Sequence, residues 1–348
     1  MSVNRIKTVR HGTGKVRSAK GRSLLIIGLT AVLILVMVLS LLVGERSIPA
    51  TDVWQIIQGR LGGPDSVIIM DGRLPRTLAG ILAGAALGLS GALIQGLTRN
   101  PLADPGILGI NAGAGFAVVL GITFYHAGTL PEYLLFAFAG TLLSAVLVYL
   151  IGTLGSPRIN PVRLTLAGVA VGAVLLGVST GISLLDPLVF DKIRFWQAGT
   201  LDIRALSPVL TVAPFVIIGC LLALGLGRGL NAITMGEDLA LALGTRLRLI
   251  QALALLAITL LCGSATALAG PIAFIGLMIP HVARWLVGPD YNWILLLTLL
   301  LTPVLLLLAD IIGRVIVPGE LRVSIVTAFI GAPVLIALVR NKHQVGSL

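Results

Sequence analysis

The sequence predicts an all-α membrane protein whose chain crosses a bilayer ten times. Only 11% of the 348 residues are Asp, Glu, Lys or Arg, and 57% are hydrophobic. The charged residues are clustered, and the windows between the clusters run for about 17 to 35 residues without a charge. A helix needs roughly 20 apolar residues to cross the hydrocarbon layer of a bilayer. Aromatic residues are scarce at 5% and Gly is abundant at 42 residues, which favours closely packed helices over a β-barrel.

The uncharged windows predict ten spans, one of which has to be divided. The stretch 249–283 would extend roughly 52 Å as a single helix, at about 1.5 Å per residue, which exceeds a hydrocarbon core of about 30 Å. Gly270-Pro271 is a turn signal and predicts the break. The predicted spans are 24–43, 77–97, 106–125, 133–152, 164–185, 205–226, 249–268, 270–286, 292–311 and 324–340.

The charge distribution predicts the orientation of this single domain, residues 24–340. With the N-terminus inside, 16 of the 25 Lys and Arg residues lie on the cytoplasmic side, as the positive-inside rule requires. Residues 1–23 then form a basic cytoplasmic tail and 341–348 a second one. The net charge of +11 therefore indicates a membrane flank and not a nucleic-acid surface.

Segments outside the spans and small residues within them carry further predictions. Two outer segments, 44–72 and 186–204, are long enough to be structured, and Pro49–Asp52 before an apolar run predicts a capped amphipathic helix. The longest internal cytoplasmic loop is 227–248.

The second and third spans are expected in the interior of the bundle, because they carry small residues at every fourth position: Gly80, Gly84, Gly88, Ala92 and Gly96, and Gly109, Gly113, Ala117 and Gly121.

No pattern in the chain indicates catalysis. The sequence lacks HExxH, GxSxG and Cys/His clusters, so we predict no catalytic residue and no bound metal. The span centres carry no ionisable residue, which argues against ion coupling, because ion-coupled carriers place such residues deep in the membrane. Asp310 and Arg314 are four residues apart near the outer end of the ninth span, where an ion pair between them is the simplest interpretation.

Several long motifs resemble one family of transport proteins. Residues 269–290 read AGPIAFIGLMIPHVARWLVGPD, residues 73–76 read RLPR, residues 98–106 read TRNPLADPG, residues 195–202 read FWQAGTLD and residues 308–336 read LADIIGRVIVPGELRVSIVTAFIGAPVLI. Over about residues 40 to 340 the chain resembles the FecCD family, the permease subunits of bacterial ABC importers for iron–siderophores, haem and vitamin B12. The resemblance implies a type II ABC importer fold, like that of the vitamin B12 permease, with ten helices per subunit and two subunits forming the pathway.

The resemblance also implies a function and a set of partners. The chain is expected to be the inner-membrane permease subunit that moves a ferric siderophore, of the catecholate class to which enterobactin belongs, from periplasm to cytoplasm. Vitamin B12 or haem permeases of the same family remain alternatives, as does an ion-coupled secondary transporter from another class. The expected partners are a second permease, of a different FecCD sequence, two ATPase subunits that bind ATP and Mg, and a periplasmic siderophore-binding protein. This chain itself is expected to bind no cofactor and to hydrolyse nothing.

Three sets of site residues follow from matching the family's motifs. The resemblance assigns the docking of the binding protein to Arg73, Arg76 and Arg314, although snorkelling arginines, or an Arg314–Asp310 pair, would explain the same residues. It assigns an ATPase-coupling helix to 234–247, where an interfacial helix on lipid is the alternative; its residues are Met235, Gly236, Glu237, Leu239, Ala240, Leu243 and Gly244. It places the pathway along the fifth and tenth spans, where Ser179, Thr180, Ser183, Ser324 and Thr327 line it or bond to their own helix backbone.

Overall fold

The computed structural model describes residues 16, 18–44, 46–154, 161–317 and 319–340. These residues are 82% helical, and no strand occurs among them. The all-α class predicted from the uncharged windows is therefore confirmed for this part of the chain. The predicted tails lie largely outside it, since residues 1–15, 17 and 341–348 are not among the described residues.

The described ranges contain fifteen α-helices. They are α1 (Ala19–Leu42), α2 (Ala50–Ile57), α3 (Pro64–Val67), α4 (Leu74–Thr98), α5 (Ile110–Tyr125), α6 (Leu130–Thr153), α7 (Pro161–Leu185), α8 (Pro187–Gln197), α9 (Leu206–Gly225), α10 (Gly227–Thr234), α11 (Glu237–Ala242), α12 (Leu247–Ala269), α13 (Ile275–Val287), α14 (Tyr291–Ile316) and α15 (Val323–Arg340). A π-helical stretch, Ile68–Arg73, joins α3 to α4 without interruption, and a 3-10 turn, Pro105–Leu108, precedes α5.

The apolar helices coincide with the predicted spans. Among the described residues, seven helices are long and apolar enough to cross a membrane, namely α1, the continuous α3–α4 unit, α6, α7, α9, α12 and α14. Helices α5 and α13 and residues 323–337 of α15 are apolar but shorter. At about 1.5 Å per residue α13 extends only roughly 20 Å, less than a hydrocarbon core of about 30 Å. The protein is thus a multi-pass membrane protein, whereas ten complete crossings stay a prediction.

Helix α4 lies at the centre of the bundle, as its small residues predict. It packs against α14, α12, α13 and α9. A Cβ atom added at Gly84 would lie 2.6 Å from the Cα of Pro303, and one at Gly91 would lie 1.8 Å from the carbonyl oxygen of Gly276. The glycines therefore allow backbone-to-backbone approach that no side chain would permit. Gly113 of α5 lies equally close to the backbone of α6, so the third predicted span is also interior.

The two short helices begin later than the sequence predicts. The eighth span was expected from residue 270, but Gly270 and Phe274 both have positive φ (73° and 69°), and α13 begins only at Ile275. The third span was expected from residue 106, but Asp104 caps the 3-10 turn, accepting a hydrogen bond from the Gly106 N–H at 2.8 Å, and Gly109 (φ 70°) ends that turn. In both places a left-handed residue interrupts the helix, and window hydropathy does not detect such a residue.

Both long segments predicted to lie on the outer side, 44–72 and 186–204, contain helices. In the first, α2 buries Val53 and Ile56 and leaves Trp54 exposed, which confirms an amphipathic helix. Pro49 occupies its N-cap position without a side-chain hydrogen bond, so the predicted cap is wrong. In the second, α8 begins after Asp186, which caps the helix. The Asp186 carboxylate accepts a hydrogen bond from the N–H of Leu188 at 2.9 Å.

Candidate functional site

A buried ion cluster joins the N-terminal end of α4 to the C-terminal end of α14. The Arg76 guanidinium donates to the Asp310 carboxylate, with its Nε at 3.0 Å from both oxygens and its Nη2 at 2.8 Å from one. Its Nη1 lies 2.6 Å from Glu320 in the turn before α15 and 4.0 Å from Asp202 in the segment before α9. One guanidinium thus connects four parts of the chain.

The other two predicted docking arginines have partners inside the same region. Arg314 donates from Nε to Asp310 at 2.9 Å and from Nη1 to the carbonyl of Ser40 in α1 at 2.8 Å. Arg73 donates from Nη1 to the carbonyls of Leu41 and Leu42, at 2.8 Å each. The arginines therefore satisfy the carbonyl groups at the end of α1, which have no partner within that helix.

Burial changes the interpretation of these three arginines. Arg73, Arg76 and Arg314 are 6%, 7% and 4% exposed, so they do not project outward as a docking contact in this state would require. The expected Arg314–Asp310 pair is present. Arg204, which lies beside Asp202, is an exposed cation close to this cluster that the matched motifs did not include. The short Asp–Ile–Arg stretch at 202–204 was the available signal, and the pKa of Arg204 is raised by its hydrogen bond to Asp202.

The predicted coupling loop folds into two short helices. Gly236 and Gly244 have φ of 114° and 76°, and they bracket α11 as predicted, because such angles favour glycine. Met235, Leu239 and Leu243 are 65%, 48% and 64% exposed and present an uncovered apolar face.

One member of the predicted apolar stripe lies on the opposite face of α11. Ala240 is fully buried in a small cluster with Ile233 and Leu247, so its assignment to the exposed stripe is wrong. The physical reason is packing: α11 is held by α10 and α12, and a small residue is needed where it meets them. Ala240 positions the helix, and the three larger residues remain available for contact.

A side-chain clamp, which sequence analysis missed, ties this loop to the core. Asn231 of α10 donates to the Asp290 carboxylate at 2.8 Å and accepts from the N–H of Tyr291 at 2.8 Å. Burial raises the pKa of Asp290, but the hydrogen bonds from Asn231 and Asn292 outweigh burial and leave that pKa below its ordinary value. The clamp links the coupling loop to the turn between α13 and α14.

The hydroxyl groups proposed for the pathway mostly bond to the protein backbone. Ser179, Thr180 and Ser183 each donate to the carbonyl four residues earlier in α7, at 2.6 to 2.8 Å. Thr327 donates to the carbonyl three residues earlier in α15, and Ser324 donates to the carbonyl of Ala198. The alternative that they bond to their own helix backbone therefore describes four of the five, whereas Ser324 bonds to the residue that follows α8; of the five, only Thr180 is exposed.

The described part of the chain offers no arrangement of metal ligands. No group of three or more His, Cys, Asp or Glu side chains is close enough there to hold a metal ion. Cys220 and Cys262 are free thiols, and Cys262 is buried.

Comparison with known proteins places the chain among transport proteins. The profile of the FecCD transport family matches residues 32–341. The ferric enterobactin transport system permease protein FepD of Escherichia coli (strain K12) is 58% identical over 326 residues, which cover 94% of this chain and 98% of that protein. The probable siderophore transport system permease protein YfiZ of Bacillus subtilis (strain 168) is 38% identical over 93% of this chain and 98% of that protein. A metal-chelate type ABC transporter in an inward-facing conformation superposes with a TM-score of 0.80 at 28% identity, over 92% of this chain and 99% of that one.

Proposed function

Because the chain belongs to the FecCD transport family, we propose that it is the membrane permease subunit of an ATP-driven importer that carries a ferric siderophore from the periplasm into the cytoplasm. The observation that carries this proposal is the 58% identity to a ferric enterobactin permease over 94% of the chain. The same similarity favours an enterobactin-like catecholate as cargo over haem or vitamin B12.

The assembly follows from which surfaces the single chain leaves uncovered. Helices α7 and α15 expose large apolar side chains, among them Leu166, Leu176, Leu184 and Phe329. A second permease subunit of the same family covers part of this surface, and lipid covers the rest. The pathway then runs between the two subunits, in the inner membrane, with both termini of the chain in the cytoplasm.

The coupling loop transmits the conformational change of the ATPase to the permease. The exposed side chains Met235, Leu239 and Leu243 fit a groove on a separate ATPase subunit, as an amphipathic helix fits an apolar groove. The Asn231–Asp290 clamp passes movement of that loop to the turn between α13 and α14. ATP and Mg bind to the ATPase, and this chain supplies no catalytic residue.

Cargo arrives at the outer face on a periplasmic binding protein. A cavity of about 360 Å³ opens there between Arg76, Arg204, Glu320 and Arg322. Carboxylates of the binding protein meet Arg204 and Arg322 of this cavity, since guanidinium groups bind carboxylates in a bidentate manner. Arg73, Arg76 and Arg314 keep their internal partners and hold α1 against α4 and α14.

Uptake of radioactive ferric enterobactin into proteoliposomes tests the proposal. Vesicles containing this permease, a second permease, the ATPase and the binding protein should accumulate the complex only when ATP is supplied. A triple substitution, Met235→Ser, Leu239→Ser and Leu243→Ser, should abolish uptake without loss of folding, because the three side chains are exposed. Leu154→Ser, another exposed leucine at a helix end, is the matched control. Accumulation driven by a proton or sodium gradient through the permease alone would overturn the proposal.

A further inference from the structure

A cavity of about 430 Å³ lies beside the coupling loop at the start of α12. It is lined by Leu241, Thr245, Arg246, Leu247, Arg248 and Leu249. Arg246 and Arg248 are both exposed, and among the residues that the structure describes neither guanidinium pairs with a carboxylate. Two guanidinium groups without a carboxylate partner in the described chain, in a cavity otherwise lined mainly by leucines, favour an anionic ligand that also has an apolar part.

The face of α12 above the arginines is apolar and uncovered. Leu249 and Leu256 are 49% and 45% exposed, and Ala252 between them is exposed as well. These residues share one helix face with Arg248, because residues three, four and seven apart lie on the same side of a helix. From Arg248 to Leu256 the stripe rises roughly 12 Å at about 1.5 Å per residue.

We propose that Arg246 and Arg248 form a binding site for one anionic phospholipid, whose phosphate lies between the two guanidinium groups and whose acyl chain follows Leu249, Ala252 and Leu256. The charge distribution places this end of α12 at the cytoplasmic boundary of the bilayer, where anionic headgroups attract basic residues. A soluble acidic partner would satisfy the arginines but would leave the apolar stripe, at membrane depth, unused. The cavity includes Leu241 of α11, so the bound lipid packs against the coupling helix.

Native mass spectrometry of the full-length permease, titrated with phosphatidylglycerol or phosphatidylcholine, tests the site. The wild-type protein should retain phosphatidylglycerol and release phosphatidylcholine. The double variant Arg246→Gln/Arg248→Gln should bind phosphatidylglycerol roughly 30-fold more weakly, since each basic residue near an anionic lipid surface contributes roughly fivefold. Arg228→Gln, an exposed arginine of the same loop outside the cavity, should bind like wild type.

A second variant separates a lipid from a soluble anion. Leu249→Asn keeps both charges and should still weaken phosphatidylglycerol binding, because the acyl chain loses its contact. The proposal is overturned if the double variant binds phosphatidylglycerol as wild type does, if phosphatidylcholine binds equally well, or if Leu249→Asn has no effect. This measurement requires neither ATP nor cargo, so its outcome is independent of the transport activity.

Discussion

Asp310 is the residue whose replacement tests the buried ion cluster most directly. Its side chain is 1% exposed and accepts hydrogen bonds from two arginines, Arg76 at 2.8 Å and Arg314 at 2.9 Å. Asp310→Asn keeps the shape of the side chain and removes its negative charge. Both guanidinium groups then remain buried without their shared counter-ion.

The expected loss of stability depends on the partners that Arg76 and Arg314 keep in the variant. Removing one partner of a buried ion pair costs about 3–5 kcal/mol, because the remaining charge stays desolvated. Arg76 keeps Glu320 at 2.6 Å, and Arg314 keeps the carbonyl of Ser40 at 2.8 Å. These contacts place the expected loss at the lower end of that range, about 3 kcal/mol. At about 2.1 cal/mol/K of unfolding entropy per residue, a chain of 348 residues loses about 1.4 °C per kcal/mol, so the melting temperature should fall by about 4 °C.

Thermal unfolding of the purified permease in detergent measures this loss. Asp191→Asn is the matched control, because it removes the same charge from a pair in which Arg194 and Asp191 are 61% and 60% exposed. An exposed pair contributes at most about 1 kcal/mol, so the control should melt close to wild type. If Asp310→Asn melts no lower than this control, the cluster does not hold the neighbouring ends of α1, α4 and α14 together.

Three further substitutions test packing and coupling. Gly91→Ala places a methyl group 1.8 Å from a backbone oxygen of Gly276 and should lower the melting temperature. The control, Gly177→Ala, meets nothing within 4 Å, so its free energy of unfolding should stay the same or rise by up to about 1 kcal/mol. Equal melting temperatures of the two variants would contradict the packing argument. Asn231→Ala removes the clamp to Asp290 and should reduce ATP-driven uptake while the ATPase still binds in a pull-down, and unchanged uptake would exclude the clamp as the connection. Glu237→Lys reverses a charge in the first turn of α11 and should abolish most ATP-dependent uptake; uptake equal to that of the wild type would contradict a coupling role for this helix.

In the coupling loop, the sequence predicted the ends of the short helix but not which of its faces is buried. Gly236 and Gly244 were expected to bracket a short helix, and their positive φ angles confirm it, because that conformation depends on the residue itself. Ala240 was placed on the exposed stripe and is buried, because its face of the helix is chosen by α10 and α12. Helical spacing predicts which residues share a face, but not which neighbour covers that face.

The burial of Arg73, Arg76 and Arg314 likewise depends on residues that are distant in the chain. Arg73, Arg76 and Arg314 were expected to project as docking contacts, and their burial was not expected. Asp310 was foreseen as a partner for Arg314 because the two are four residues apart on one helix. The Arg76–Asp310 pair joins residues 234 positions apart, and no spacing rule detects it.

The sequence by itself determined the membrane class, the positions of the apolar helices and the interior place of α4, since missing charges and glycine ridges are local features whose energetic consequence in lipid is large. The sequence also identified the family, because the motifs are long and contiguous. Only the tertiary structure decided which arginines are buried and which are exposed, where α5 and α13 begin, and that Arg246 and Arg248 beside α11 have no carboxylate partner among the residues it describes. Those properties depend on contacts between residues far apart in the chain. An arginine occurs in water, in a buried ion pair or beside a lipid phosphate, and the fold decides which of these partners it meets.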